Sequence, residues 1–239
     1  MTAITRLVTS RSLYGLRPSP TARLTPAPPY SRRVSFTVGF DLDMTLIDPR
    51  AGMIDVFDVL AEETGIPLDG RAFVTRLGPP LSQEFARYDL DPATIEHLVG
   101  RYRELTPSLV VPSTVALPGA ADAVRAVVDR GGRVVVVTAK FGPLAEMHLD
   151  ALGIAVTAVI GELWSVGKAA ALREQGAEVF VGDHLGDMTG ARAADAFAVG
   201  VATGPISAED LLAAGADVVL GDLTRFPEWL ESYLLATVH

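Results

Sequence analysis

Two aspartates stand one residue apart at the end of a short apolar run. Residues 34–40 read VSFTVGF, and Asp41 and Asp43 follow, with Thr45 close behind them. Neighbouring carboxylates repel each other, and their burial is costly unless something compensates their charge. The pair is therefore either exposed to water or neutralised by a positive group, and the residues at other strand ends distinguish these cases.

Polar residues of particular types also follow the other predicted strands. They are Thr138 and Lys140, with Ala139 between them, after the strand 133–137, Lys168 at the start of a helix, and Asp183 and Asp187 after the strand 178–181. In an open parallel sheet, ligands bind outside the carboxyl ends of the strands, so we expect these residues at one edge of the sheet. A cluster of this kind disfavours the interpretation of Asp41 and Asp43 as solvated turn residues.

The residue types indicate phosphoryl transfer. Facing carboxylates are tolerable when a hard divalent cation neutralises them, and Mg²⁺ prefers oxygen ligands. A carboxylate beside such a cation can attack phosphorus and form an acyl phosphate. A second carboxyl group can protonate the leaving alcohol and then deprotonate water. A hydroxyl and an ammonium at neighbouring strand ends can hold the charge of the phosphoryl oxygens in the transition state.

The elements that position these residues follow an α/β pattern. From residue 118 onward, continuous apolar strands alternate with amphipathic helices, which predicts a doubly wound parallel sheet covered on both faces. Between the first strand and this region, residues 50–112 show helical spacing and no strand pattern. We therefore predict a core domain formed by 34–47 and 118–239, and an all-helical insert at 48–117.

Composition and charge limit the partners. The chain has 239 residues and no cysteine, which excludes disulfides and thiol catalysis and favours a cytoplasmic location. Residues 1–33 carry six arginines and no acid, which leaves 14 basic residues against 29 acidic ones in the rest. Such an acidic body lacks the basic footprint that nucleic acids need, and no apolar stretch is long enough for a membrane span. We expect 1–33 to be a disordered basic arm, with a targeting segment or a functional basic tail as alternatives.

Four short segments at the predicted strand ends carry a resemblance to a known family. They are DLDMT at 41–45, VVVVT at 134–138, the lysine at 168 and GDHLGD at 182–187. In order, spacing and strand context, they resemble the motifs of the haloacid dehalogenase-like (HAD) hydrolase superfamily, and within it the phosphoglycolate phosphatase-like group. The resemblance covers essentially all of 34–239. It implies a Rossmann-like core, with the helical insert as a cap between motifs one and two.

The resemblance also implies roles for individual residues. Asp41 would be the nucleophile and a Mg²⁺ ligand, and Asp43 the general acid/base that also offers its main-chain carbonyl to the metal. Asp183 and Asp187 would complete the metal site. The residues implied to bind the phosphoryl group or the substrate are Thr45, Thr138, Ala139, Lys140 and Lys168, together with Arg76 in the insert.

The sequence departs from the family pattern in three places. Met44 stands where relatives usually have Gly, and Ala139 where they often have Asn. Lys168 lacks the usual following proline and lies only 15 positions before Asp183. Lys140 therefore stays open as an alternative for the lysine of the third motif.

The expected function is that of a Mg²⁺-dependent phosphatase acting on a small phosphorylated metabolite, phosphoglycolate-like or a sugar phosphate, as a monomer or homodimer. A sugar-phosphate mutase of the same fold is an alternative, because it passes the phosphoryl group to a sugar hydroxyl with the same residues. A non-catalytic binding or regulatory relative is another alternative. The presence of Asp43 disfavours a dehalogenase, and the helical insert disfavours a receiver domain.

Overall fold

A computed structural model describes residues 36–237, and a six-stranded parallel sheet lies at its centre. The basic arm expected at 1–33 lies outside the described residues. The strands are β1 (Thr37–Phe40), β2 (Ile47–Asp48), β3 (Val115–Ala116), β4 (Arg133–Val137), β5 (Ala158–Ile160), β6 (Ala177–Gly182), β7 (Phe197–Val201) and β8 (Val218–Leu220). The spatial order of the sheet is β5-β4-β1-β6-β7-β8, and β2 and β3 form a separate ribbon.

The strand β1 is at the centre of the sheet, between β4 and β6. Phe40 at its end aligns with Val136 of β4 and with Val181 of β6. The run RVVVV of β4 has no polar position after its arginine, because helices cover both faces of the sheet. Since the three strands end at nearly the same level, the residues that follow them meet at one edge.

Helices cover this sheet on both sides, and the predicted doubly wound α/β core is confirmed. The α-helices are α1 (Arg50–Thr64), α2 (Gly70–Phe73), α3 (Leu81–Phe85), α4 (Pro92–Leu109), α5 (Ala120–Asp129), α6 (Gly142–Ala151), α7 (Lys168–Glu174), α8 (Leu185–Ala193), α9 (Ala208–Ala213) and α10 (Phe226–Thr237). One face of the sheet is covered by α5, α6 and α10, and the other by α7, α8 and α9.

The helix α10 follows the last strand and packs on one face of the sheet. Phe226 and Leu230 are buried at helical spacing, and Trp229 and Tyr233 pack beside them against Phe197. Four aromatic and aliphatic side chains on one helix therefore close the sheet face beyond β7. Trp229 is thus a packing residue of this face.

The insert is helical from α1 to α4 and has a core of its own. Phe57 of α1 stacks on Phe73 and Phe85, and the ring of Tyr102 meets it edge-on. Helix α4 begins after an N-cap residue, Asp91, whose side chain accepts hydrogen bonds from main-chain N–H groups of the first turn. None of the helices within 36–237 is long and apolar enough to cross a membrane.

An antiparallel ribbon connects the insert to the core. Ile47 of β2 pairs with Ala116 of β3, and Asp48 pairs with Val115, so the chain leaves and re-enters the core at adjacent positions. This ribbon was not predicted, because two residues are too few to show a strand period. The division into a core at 34–47 and 118–239 and an insert at 48–117 stays a prediction.

Candidate active site

Three buried aspartates converge at the carboxyl edge of the sheet. One carboxylate oxygen from each of Asp41, Asp183 and Asp187 lies within 4.8 Å of the others. Asp41 directly follows β1 and continues its ladder, since its N–H donates to Val181. Asp183 follows β6, and Asp187 lies in the first turn of α8. Parallel strands that end side by side therefore produce the cluster.

The ammonium of Lys168 lies between two of these acids. Its Nζ donates to Asp41 Oδ1 at 2.6 Å and to Asp187 Oδ1 at 2.7 Å, and the side chain is 1% exposed. The same ammonium lies 5.2 Å from the ring centre of Phe180. Lys168, rather than Lys140, is thus the lysine in contact with Asp41.

The charges of the cluster do not balance. Burial is the main cause that raises the pKa of Asp41 to about 7; Asp187 and Asp43 raise it further, while Lys168 opposes the shift. Burial, followed by Asp187 and Asp41, holds the pKa of Asp183 well above its usual range. Burial disfavours the charged form of Lys168, but the two acids that it contacts outweigh this effect and raise its pKa. One ammonium against three carboxylates leaves room for a cation.

Close main-chain approaches fix the orientation of the acids. Thr45 is fully buried, and its hydroxyl donates to Asp183 Oδ1 at 2.9 Å. A Cβ at Gly182 would overlap the side chain of Asp187, and one at Gly204 would overlap Asp183. Only glycine fits these two positions. Gly204 was not singled out from the sequence, because it belongs to no motif.

Met44 is the residue that stands where relatives usually have Gly, and it has left-handed backbone geometry. Its φ is 61°, a conformation that costs roughly 1–2 kcal/mol for a residue with a side chain. The side chain is 2% exposed and packs in the core of the insert. Its carbonyl accepts a hydrogen bond from Thr203 at 2.6 Å. The departure from Gly therefore retains the turn and adds a contact to the insert.

The loop after β4 lies on the other side of Asp43. Lys140 Nζ is 3.0 Å from Asp43 Oδ2, and the hydroxyl of Thr138 accepts a hydrogen bond from the main-chain N–H of Lys140. The second oxygen of Asp43, Oδ1, is buried and has no hydrogen-bond partner among residues 36–237. Thr138, Ala139 and Lys140 line the same cavity as Asp41 and Asp43.

A cavity of about 260 Å³ separates this edge from the insert. The insert contributes Tyr102 and Arg103 of α4, and the core contributes Phe141 and Glu162. Sequence reasoning missed these four residues. Tyr102 has the helical spacing of a core residue, and the other three belong to no motif. Their place in the cavity can therefore be recognised only when the position of the insert over the sheet is known.

Local contacts hold two further residues, Arg76 and His184. Arg76 pairs with the buried Glu84 of α3 and is absent from the cavity lining that the described residues form, so its contact with a substrate stays a prediction. His184 caps α8, where its Nδ1 accepts a hydrogen bond from Gly186, and its ring packs against Trp164. Burial lowers the pKa of His184, which favours the neutral ring that this cap requires.

The fold and this edge define a class of protein: an open parallel α/β sheet with an acid cluster at its carboxyl edge and a helical insert after its first strand. A sequence model described as haloacid dehalogenase-like hydrolase matches residues 38–192, which is more than half of the chain. The chain belongs to this hydrolase family. The resemblance drawn from the four motifs is confirmed.

Relatives resemble the chain over most of its length. The phosphoglycolate phosphatase of Caulobacter vibrioides is 29% identical over 212 residues, which cover 80% of this chain and 89% of that protein. The crystal structure of a predicted phosphatase from Clostridium acetobutylicum has a TM-score of 0.73 at 22% identity, covering 83% of this chain and 99% of that one. That of a predicted phosphoglycolate phosphatase from Haemophilus somnus has a TM-score of 0.71 at 19% identity, covering 82% and 98%. The two structural likenesses show the fold.

Proposed function

We propose that the chain is a Mg²⁺-dependent phosphomonoesterase that hydrolyses a small phosphate ester through an aspartyl-phosphate on Asp41. The position of Lys168 carries this proposal, because its ammonium donates to both Asp41 and Asp187 while Asp183 lies beside them. This reaction needs an attacking carboxylate, a cation to hold the transferred charge and further acids for a metal. The family match and the name of the Caulobacter relative support the same reaction.

The buried acids fit a hard divalent cation. Asp41, Asp183 and Asp187 would hold it, and the main-chain carbonyl of Asp43 is an additional candidate ligand. The raised pKa values of Asp41 and Asp183 are those of a cluster short of positive charge, and carboxylate oxygens suit Mg²⁺ better than softer metals. When bound, Mg²⁺ neutralises the acids and polarises the phosphoryl oxygens.

The two acids after β1 divide the chemical steps. A carboxylate oxygen of Asp41 attacks phosphorus, the ester P–O bond breaks, and Asp43 gives a proton to the leaving oxygen. Asp43 then takes a proton from water as the water oxygen attacks phosphorus. The bond between phosphorus and Asp41 breaks, and inorganic phosphate leaves. Lys140, at 3.0 Å from Asp43, holds that carboxyl group at the cavity.

The remaining groups at this edge suit the phosphoryl oxygens. Thr138 and Lys140 line the cavity, with Ala139 between them, and Lys168 lies behind Asp41. Thr45 contacts Asp183, which supports a positioning role next to its expected contact with phosphate. The insert lies over the cavity and can exclude water from the acyl phosphate. We also propose a cytoplasmic location, which the lack of cysteine supports.

The test is the replacement of Asp41 by Asn, which keeps the shape of the side chain and removes the nucleophilic charge. With p-nitrophenyl phosphate and Mg²⁺, we expect kcat to fall by about a thousandfold or more, and chelation of Mg²⁺ to abolish turnover by the unmodified chain. The matched control is Asp150→Asn on the exposed side of α6, which keeps full activity. The proposal is refuted if folded Asp41→Asn turns over p-nitrophenyl phosphate at a rate close to that of Asp150→Asn.

A further inference from the structure

The insert provides an apolar wall for the cavity. Met53, Phe73, Leu77 and Val99 line it, and the first three are at most 5% exposed. Their packing into the insert core fixes the wall before a ligand arrives. The volume of about 260 Å³ is below the roughly 300–1,000 Å³ of pockets for drug-sized ligands, so it suits a small ester.

The insert adds polar groups to the cavity, and these groups are either neutral or already paired with an opposite charge. Tyr102 is buried, with its ring edge-on to Phe57, and its hydroxyl has no hydrogen-bond partner among residues 36–237. It offers a neutral donor. Arg103 lies 4.4 Å over the ring of Phe141, and its guanidinium is 2.7 Å from Glu162 on the core.

The cations around the cavity are already paired with acids. Within the described part of the chain, the positive side chains that line it are Lys140 and Arg103, and they contact Asp43 and Glu162. A carboxylate on the leaving group would meet the apolar wall and the negative charge of Glu162. An anion placed there would lose hydration against the apolar wall and find one neutral donor, Tyr102, in place of a free cation, so it is disfavoured relative to an uncharged group.

We propose that the site selects monophosphate esters whose leaving group is small, uncharged and mainly apolar, in preference to phosphoglycolate. This inference rests on the proposed phosphatase function. The phosphoryl group occupies the charged edge at Asp41, and the leaving group lies against the wall of Met53 and Val99. Tyr102 donates to a single polar atom of that group. Because Arg103 is paired with Glu162, no free positive charge faces a carboxylate on the leaving group.

The experiment compares isobutyl phosphate with 2-phosphoglycolate on the full chain with Mg²⁺. The two esters have leaving groups of similar length and differ in an isopropyl group against a carboxylate. We expect kcat/KM for isobutyl phosphate to be higher by about tenfold or more. p-Nitrophenyl phosphate serves as a third substrate that reports phosphatase activity by itself.

A variant at the mouth of the cavity tests the charge argument. Glu162→Gln frees Arg103, and Glu162 is exposed enough for the change to leave the fold intact. We expect the kcat/KM ratio of phosphoglycolate to isobutyl phosphate to rise by about fivefold to tenfold, the scale of one ordinary protein hydrogen bond. Glu146→Gln, an exposed acid of α6 outside the cavity, is the matched control and keeps the ratio.

Each outcome decides the inference. A kcat/KM for phosphoglycolate equal to or above that for isobutyl phosphate overturns it and leaves the phosphatase proposal standing. The inference is also overturned if the chain hydrolyses p-nitrophenyl phosphate but neither isobutyl phosphate nor phosphoglycolate. It is overturned as well if Glu162→Gln leaves the kcat/KM ratio of phosphoglycolate to isobutyl phosphate unchanged. Turnover of none of the three esters by folded protein with Mg²⁺ refutes the proposed function, and the selectivity fails with it.

Discussion

The burial of the His148 side chain predicts that the folded protein loses stability in mild acid. The residue lies on α6, is 0% exposed, and neither ring nitrogen has a hydrogen-bond partner among residues 36–237. Burial is the main cause that lowers its pKa to about 4; Lys140 lowers it further, and Asp43 opposes the shift. A charged imidazole is thus disfavoured in the folded protein and freely formed in the unfolded chain.

The sign and size follow from this difference in pKa. An unfolded histidine titrates near 6.5, so below that pH the unfolded chain binds a proton that the folded chain does not. The neutral ring leaves stability intact above pH 6.5, and stability falls as the pH drops from 6.5 toward 4. Between pH 7.5 and pH 5 the loss amounts to about 2 kcal/mol, and it approaches about 3.4 kcal/mol below pH 4.

The assay is urea unfolding of the wild-type chain and of His148→Leu at pH 7.5 and pH 5. Leu is close to His in volume and cannot be protonated, so the variant should lack this part of the pH dependence. We expect the wild type to lose about 2 kcal/mol more than His148→Leu between the two pH values. Buried acids such as Asp41 titrate in both proteins, and the difference between the proteins removes their contribution.

A second histidine provides the control. His97 is exposed on α4, and we expect His97→Leu to keep the pH dependence of the wild type. The reasoning about His148 is refuted if His148→Leu and wild type lose the same unfolding free energy between pH 7.5 and pH 5. It is also refuted if His97→Leu flattens the pH dependence to the same degree.

Two further predictions follow from the acid cluster and its turn. Mg²⁺ at a hundred times its dissociation constant should stabilise the chain by about 2.7 kcal/mol in thermal unfolding, and Asp183→Asn should abolish this gain while Asp150→Asn keeps it. A gain that persists in Asp183→Asn would contradict the assigned ligands. Met44→Gly relieves about 1–2 kcal/mol of backbone strain but removes a buried side chain worth about 2–5 kcal/mol, so urea unfolding should show a net loss of up to about 4 kcal/mol. A more stable Met44→Gly would refute this balance.

The residues at the carboxyl edge of the sheet could be predicted from the sequence, because each of them follows a recognisable apolar strand. An apolar strand such as 133–137 has to be covered on both faces, and the residue after it has to lie at the carboxyl edge. Asp41 and Asp183 each follow such a strand, so their meeting required only the parallel topology. The choice of Lys168 over Lys140 required the structure, because both lysines follow predicted strands.

The insert side of the cavity could not be predicted in the same way. Arg103 and Glu162 are 59 positions apart, and their contact depends on how α4 lies across the core. Tyr102 shows only the spacing of a packed helix. His148 shows the reverse case, in which a polar residue on an amphipathic helix is buried by tertiary packing that no local pattern reports.

The charge of the acid cluster explains why its surroundings are so constrained. Lys168 cancels one of three buried carboxylates, and the remaining imbalance of two charges equals that of one divalent cation. Such a site keeps its geometry without the cation only if neighbouring residues hold the acidic side chains in position. The hydroxyl of Thr45 and the close approaches of Gly182 and Gly204 do this. The residues around the acids therefore keep the three carboxylates in place against their mutual repulsion, and such preorganisation is what the proposed electrostatic catalysis requires.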